Sequence, residues 1–112
     1  MIHMLSKFDL KPGIVFDEFE QDYLRFIDTI RDLNIIKSAD PIGRRLKDTP
    51  MDTASDNEPE FYSIMSFKDR KQLDAAYAYL LNPAVPNKDK TTHHKIHKAV
   101  INSVFICWQD TV

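Results

Sequence analysis

Four histidines are the side chains of this 112-residue chain best suited to acid–base chemistry or metal binding near neutral pH. Three of them, His93, His94 and His97, are close together near the C-terminal end. On a helix, His93 and His97 would share one face, four residues apart, which suits two ligands of one metal ion. No glutamate accompanies them as the general base of a metalloprotease arrangement. A solvated surface pair is therefore the favoured interpretation, and neither a metal site nor a cofactor is predicted.

The fourth histidine, His3, lies in an apolar opening stretch, where a neutral imidazole could act as a general base near pH 7. Tyr62 and Ser103, on the strands expected beside it, are its candidate hydrogen-bond partners. His3 and Tyr62 are thus the candidate catalytic pair, although a hydrogen-bonded core histidine is the commoner case. Arg44 and Arg45 could clamp a carboxylate or phosphate, or form surface salt bridges instead.

An aromatic and methionine-rich set of residues could line an apolar pocket for a planar or aliphatic molecule. The candidate ligand-binding residues are Phe26, Phe61, Met65, Phe105 and Trp108. The same side chains would also make an ordinary core or a dimer interface, which is the more frequent use of such residues. Trp108, near the C-terminus, is expected to pack against a partner chain.

These candidates would be positioned by elements in the order strand, helix, strand, strand, helix, strand. Apolar residues that recur at steps of three and four predict an amphipathic helix over 14–34. Pro41 interrupts the second strand, because proline cannot donate to the ladder. The strands are expected over 2–10, 33–39 with a continuation at 44–46, 61–67 and 102–109.

The second half of the chain holds two shorter helices. Asp69 is a suitable N-cap for one that ends near Leu81, and the other is expected over 93–100. Residues 47–59 are rich in proline and polar side chains, so they are predicted to be a loop.

The length and composition of the chain exclude several classes of function. A chain of 112 residues is one domain over residues 1–112. A net charge of −2, with acids and bases interspersed, gives no footprint for nucleic acid or an anionic membrane. The single Cys107 excludes an intrachain disulfide and a cysteine zinc cluster. No run approaches the ~20 apolar residues that span a bilayer, so a cytoplasmic location is expected by default. There is no glycine-rich phosphate loop, no serine nucleophile motif and no haem-attachment motif.

The strands carry apolar residues on both faces, whereas a one-sided antiparallel sheet alternates apolar with polar. The two longer helices, joined by right-handed crossovers, would cover the same face. Left open, the other face would expose more apolar surface than a monomer normally tolerates. The pattern therefore predicts a homodimer in which two sheets pack face to face.

Short motifs along most of the chain resemble the stress-responsive dimeric α/β-barrel (Dabb) family. They are Ile2-His3, Phe8, Leu10, Lys11-Pro12-Gly13, Phe67-Lys68-Asp69, Ala76-Tyr77 and Asn82-Pro83-Ala84. The resemblance implies an α+β fold, the ferredoxin-like βαββαβ sheet with helices on one face, whose sheets pair into a dimeric α/β barrel. Relatives in that superfamily include small monooxygenases, polyketide cyclases and proteins of no known activity.

Two departures from the family pattern bear on chemistry. Met4 stands where family members often have a second adjacent histidine, and Asn82-Pro83-Ala84-Val85 replaces a His-Pro-Ala-His turn. Some cyclase-type relatives use histidines at those places as acid and base, so their absence counts against that chemistry here. The inserts at 47–59 and 86–92 are also unusual for the family.

Three functions remain open from the sequence. The leading one is a Dabb-like homodimer that binds a small apolar ligand in the barrel. The first alternative is a cofactor-independent monooxygenase or polyketide-cyclase-like enzyme, with His3 and Tyr62 in the cavity. The second is a purely structural or regulatory dimer. A cavity of ~300 Å³ or more, with His3 or Tyr62 in its wall, would favour the first two, and a filled interior would favour the third.

Overall fold

The structure, a computed structural model, describes residues 1–82 and 91–112, over which the chain forms three helices and five strands. The helices are α1 (Phe16–Asp32), α2 (Arg70–Leu81) and α3 (Thr91–Ala99); the strands are β1 (Ile2–Leu10), β2 (Ser38–Ala39), β3 (Gly43–Arg44), β4 (Phe61–Phe67) and β5 (Val100–Gln109). The turn predicted after the second helix, at 83–86, lies outside the described residues, as does most of the insert at 86–92.

The strands form one antiparallel sheet in the order β2-β4-β1-β5, with β3 also paired to β4. The first strand of the chain is therefore central, between β4 and the last strand. Ile2 lies opposite Phe67 on one side and opposite Gln109 on the other. The predicted ferredoxin-like α+β fold is confirmed, and the weak second strand is realised as two short pieces around Pro41.

Helix α1 forms where the apolar stripe predicted it. Gly13 has a φ of +87°, which a residue with a side chain rarely adopts, and it turns the chain from β1 toward the helix. Asp17 and Glu18 lie in the first turn, where the helix dipole favours negative charge. The helix ends before Asn34, whose φ of 58° stops it two residues short of the predicted end. Its buried side chains are Phe19, Tyr23, Phe26, Ile27 and Ile30.

Helices α2 and α3 also match the sequence pattern closely. The Asp69 side chain accepts a hydrogen bond from the backbone N–H of Gln72 at 2.9 Å, so the predicted N-cap is confirmed. Helix α3 begins two residues before its predicted start. Strand β5 follows it at once and contains a register shift opposite Lys7 to Asp9, near Asn102 with its φ of 56°.

Candidate functional site: an apolar cavity beneath the helices

The alternation of side chains along β1 separates the molecule into two faces. Met4 and Ser6 point toward the helices, so that His3, Leu5 and Lys7 point the other way. The register carries the same division onto β4 and β5. We call the first the helix face of the sheet and the second the open face.

A cavity of about 140 Å³ lies between the helix face and the three helices. Its walls are mostly apolar and include Phe26, Met65, Leu73 and Ile96. An apolar cavity of about 150 Å³ stays dry in a protein and accepts a molecule the size of benzene. The space beneath the helices therefore fits one aromatic ring. It is smaller than the ~300 Å³ cavity that was expected of a ligand-binding protein or an enzyme.

Among the hydroxyl-bearing residues that line the cavity, Ser6, Ser63 and Tyr23 are buried, whereas Ser103 and Tyr77 are exposed. Ser6 and Ser63 lie directly opposite each other across β1 and β4, and both are buried on the helix face. The Tyr23 hydroxyl, from α1, lies beside Ser63 and donates to the Asp40 carbonyl oxygen at 3.4 Å. Burial raises the pKa of Tyr23, the Ser63 hydrogen bond opposes that rise, and the Asp40 charge adds to it.

Two of the clustered histidines belong to the cavity wall, which the sequence did not predict. His93 and His97 both line the cavity from α3, with ring centroids 6.4 Å apart. The His93 ring also contacts Phe26 at 5.2 Å. The four-residue spacing did predict their shared face, and the packing of α3 against α1 brings that face to the cavity, where His93 is half-buried and His97 remains exposed. No group of three or more His, Cys, Asp or Glu suited to a metal ion occurs among the described residues.

The predicted ligand-binding residues are divided between different parts of the molecule. Phe26, Met65 and Phe105 line the cavity. Phe61 is buried on the helix face in a separate aromatic stack, with its ring 5.2 Å from that of Phe16. Trp108 lies on the open face, where 42% of its surface is exposed.

His3 and Tyr62 both lie on the open face and are not brought together. The two predicted partners of His3 are wrong, because register places Ser66 opposite it on β4 and Ser103 points to the helix face. His3 Nδ1 is instead 2.8 Å from Ser66 Oγ, and Nε2 is 2.8 Å from a carboxylate oxygen of Asp110. That hydrogen bond holds the pKa of Asp110 below its usual value. The expected position of His3 and Tyr62 in the cavity is not found, and their catalytic role stays a prediction.

The segment between β3 and β4 covers the Tyr62 end of the open face. Arg45 donates to both carboxylate oxygens of Asp52 at 2.7 Å, and Lys7 pairs with Glu58. These bonds anchor the polar loop that was predicted at 47–59. Arg45 therefore forms an ion pair within the chain rather than with an anionic ligand.

The other end of the open face is left uncovered by the residues that the structure describes. Val104, Ile106 and Trp108 of β5 are each 42–45% exposed on this side of the sheet. Leu5 and Ile64, on the neighbouring strands, are half-buried beside them. Together these five residues form a contiguous apolar surface, which we call the apolar patch.

Comparisons with known proteins find likeness in structure but not in sequence. No protein-family model matches the chain, and no curated protein matches it. A protein from Arabidopsis thaliana superposes with a TM-score of 0.72 at 11% identity, over 100% of this chain and 97% of that one. A variant of SnoaB, a cofactor-independent oxygenase from Streptomyces nogalater, gives 0.67 at 12% identity, over 99% and 93%. A dimeric ferredoxin-like protein of unknown function from Jannaschia sp. gives 0.67 at 12%, over 97% and 98%.

The chain has the ferredoxin-like fold. Identities of 11–12% carry the likeness no further than that, so they assign neither an activity nor membership of the Dabb family. No helix among the described residues is long and apolar enough to cross a membrane. The cytoplasmic location stays a prediction.

Proposed function

We propose that this protein is a Dabb-like homodimer in which each protomer binds a small apolar molecule, up to the size of one aromatic ring, beneath its helices. The observation that carries the proposal is the cavity of about 140 Å³, whose lining is mostly apolar. Pockets that bind small molecules combine such a lining with a few polar groups. The short motifs that resemble those of the Dabb family support the same proposal.

The dimer half of the proposal rests on the apolar patch. Ile106, at 45% exposure, and its neighbours leave more contiguous apolar surface in water than isolated exposed side chains would. A second copy is the occupant that we propose, because an identical patch is self-complementary about a two-fold axis. The Jannaschia protein, which has the same fold, is dimeric.

Binding in the cavity is tested with toluene as the probe and methionine methyl groups as reporters. Met4 and Met65 line the cavity, whereas Met51 is 89% exposed in the insert. In protein labelled with ¹³C at the methionine methyls, we expect toluene to shift the Met4 and Met65 signals in a saturable way and to leave Met51 unchanged. Shifts that are absent, or equal at all three sites, would rule out the cavity as a binding site and leave a purely structural dimer.

The dimer is tested by light scattering over a range of protein concentrations. Ile106→Asp would bury an unpaired carboxylate in the proposed interface, so we expect the dissociation constant to rise more than about 100-fold. Leu24→Asp is the matched control, because Leu24 is 51% exposed on α1 and is not part of the apolar patch. A wild-type protein that is monomeric at micromolar concentration, or equal effects of both variants, would overturn the dimer.

An oxygenase or cyclase activity is the second candidate, because His93 and His97 give the cavity wall imidazoles that could act as a base. SnoaB, with the same fold, is a cofactor-independent oxygenase. Oxygen uptake with p-cresol as substrate, lost in His97→Gln, would support this candidate. His3→Ala and Tyr62→Phe test the pair predicted from the sequence, and unchanged uptake in both variants would remove them from the mechanism.

A further inference from the structure

The floor of the cavity holds hydroxyl groups that a purely apolar ligand would not use. Ser6 and Ser63 are only 7% and 3% exposed, and they face each other directly across the two central strands. Side chains opposite each other in an antiparallel pair have Cβ atoms about 5 Å apart. Both hydroxyls therefore reach the same small region of the cavity floor. A few hydroxyl groups in an otherwise apolar lining are the kind of polar group that fixes the orientation of a bound ligand.

The hydrogen bonds around Tyr23 determine whether each serine can donate a hydrogen bond to a ligand or accept one from it. Tyr23 donates its one proton to the Asp40 carbonyl, so its oxygen can only accept from Ser63. The Ser63 contact opposes the rise in the pKa of Tyr23, as a bond donated to the phenol oxygen should. With its proton used in this way, Ser63 presents lone pairs to the cavity. Ser6, opposite, can donate or accept.

The charge of the lining residues further limits the chemical classes of ligand that could bind. None of the described residues that line the cavity is Lys, Arg, Asp or Glu. Apart from the imidazoles of His93 and His97 on α3, the described lining holds no side chain that could carry a positive charge, so a carboxylate or phosphate on the strand floor would be desolvated at a cost. A neutral group that both donates and accepts one hydrogen bond matches the floor, and a hydroxyl is the simplest such group.

We infer that the cavity takes a neutral hydroxylated single-ring compound, a simple phenol, whose hydroxyl lies between Ser6 and Ser63. The inference rests on the proposed function, since it specifies the ligand of the same cavity. The ring fills the apolar space beside Phe26 and Met65, and its hydroxyl donates to Ser63 and accepts from Ser6. Selectivity then comes from one hydroxyl on an otherwise apolar molecule.

The experiment compares p-cresol with toluene, which differ by that one hydroxyl group. Dissociation constants come from titrations that follow the Met65 methyl signal. In the wild-type protein we expect p-cresol to bind about three- to ten-fold more tightly than toluene, the usual net worth of one hydrogen bond. If toluene binds and p-cresol is no tighter, the phenol inference fails while the apolar site stands. If neither binds, both proposals fail.

Two serines of β4 provide matched variants on opposite faces of one strand. Ser63→Ala should lower the p-cresol to toluene ratio about three-fold or more and leave toluene affinity within about two-fold, because the acceptor of the phenol proton is lost while the bond from Ser6 remains. Ser66→Ala removes the same atom on the open face, where it contacts His3, and should leave the ratio unchanged. A ratio that survives Ser63→Ala, or falls equally in Ser66→Ala, would overturn the role given to the serine floor.

Discussion

The two faces of the sheet are covered to different extents and by different parts of the chain. On the helix face, the helices bury strand residues of β1 and β4 such as Phe67, which is 3% exposed, and enclose a small cavity, at which Phe105 of β5 remains 61% exposed. On the open face, the chain covers one end with ion pairs and leaves the other end apolar, with Trp108 42% exposed. The sheet thus packs into a hydrophobic core on its helix face and leaves apolar side chains exposed on its open face.

The open face is covered partly by the chain itself. The apolar residues on both faces of the strands predict a second copy of the chain over the whole of this face. The insert at 47–59 covers the Lys7 and Tyr62 end, held by Arg45 and Asp52, so a partner is needed only for the apolar patch. Residues 47–59 form the predicted loop, and ion pairs of Asp52 with Arg45 and of Glu58 with Lys7 also hold this loop against the sheet.

The largest expected effect concerns core packing on the two sides of β4. Phe67→Ala should lower the free energy of unfolding by about 3–5 kcal/mol, because it leaves a cavity in a packed core. Ile64→Ala, on the same strand but facing the other way, should cost less than about 2 kcal/mol at concentrations where the protein is monomeric. Urea unfolding measures both. Equal losses would mean that the open face is packed as tightly as the helix face.

A smaller, pH-dependent effect concerns the covered end of the open face. Hydrogen bonds from Arg45 hold the pKa of Asp52 below its usual value. The ion pair therefore stabilises the fold above the unfolded pKa of about 3.9, and this stabilisation is lost as the pH falls through the lower folded pKa. We expect Asp52→Asn to lower the free energy of unfolding at pH 7, and the difference from wild type to shrink as the pH falls below about 4.

The control for this pH effect is Asp56→Asn. Asp56 is exposed in the same segment and forms no ion pair with the residues that the structure describes. Its substitution should leave the pH profile of stability unchanged. A profile that changes as much with Asp56→Asn as with Asp52→Asn would mean that general charge, not the Arg45 pair, holds the insert.

The smallest expected effect is spectroscopic and reports on the apolar patch alone. Trp108 is the single tryptophan of the chain. Its emission should move a few nanometres to shorter wavelength as protein concentration rises, because dimerisation would remove the indole from water. Ile106→Asp should abolish this shift, and toluene in the cavity should not alter it. An emission shift caused by toluene would show that the two faces are not independent.

Most of the secondary structure could be predicted from the sequence. The strand at 61–67, the Asp69 cap and the end of the second helix at Leu81 are confirmed, because each depends on residues that are neighbours along the chain. The candidate site could be predicted only in part. The aromatic and methionine-rich composition identified Phe26, Met65 and Phe105. Nothing local indicated that Ser6 and Ser63 would meet, since they are 57 positions apart in the chain (63 − 6).

Local pattern was enough to specify the strands, the helices and the fold class, because periodicity depends on backbone geometry that each segment carries with it. The packing of distant segments decided the rest: which strand residues lie beneath the helices, that His93 and His97 line the cavity, and that the Arg45 ion pair holds the loop over one end of the open face. Those outcomes depend on register and on how connections cross the sheet, and a one-residue slip in register would exchange the two faces.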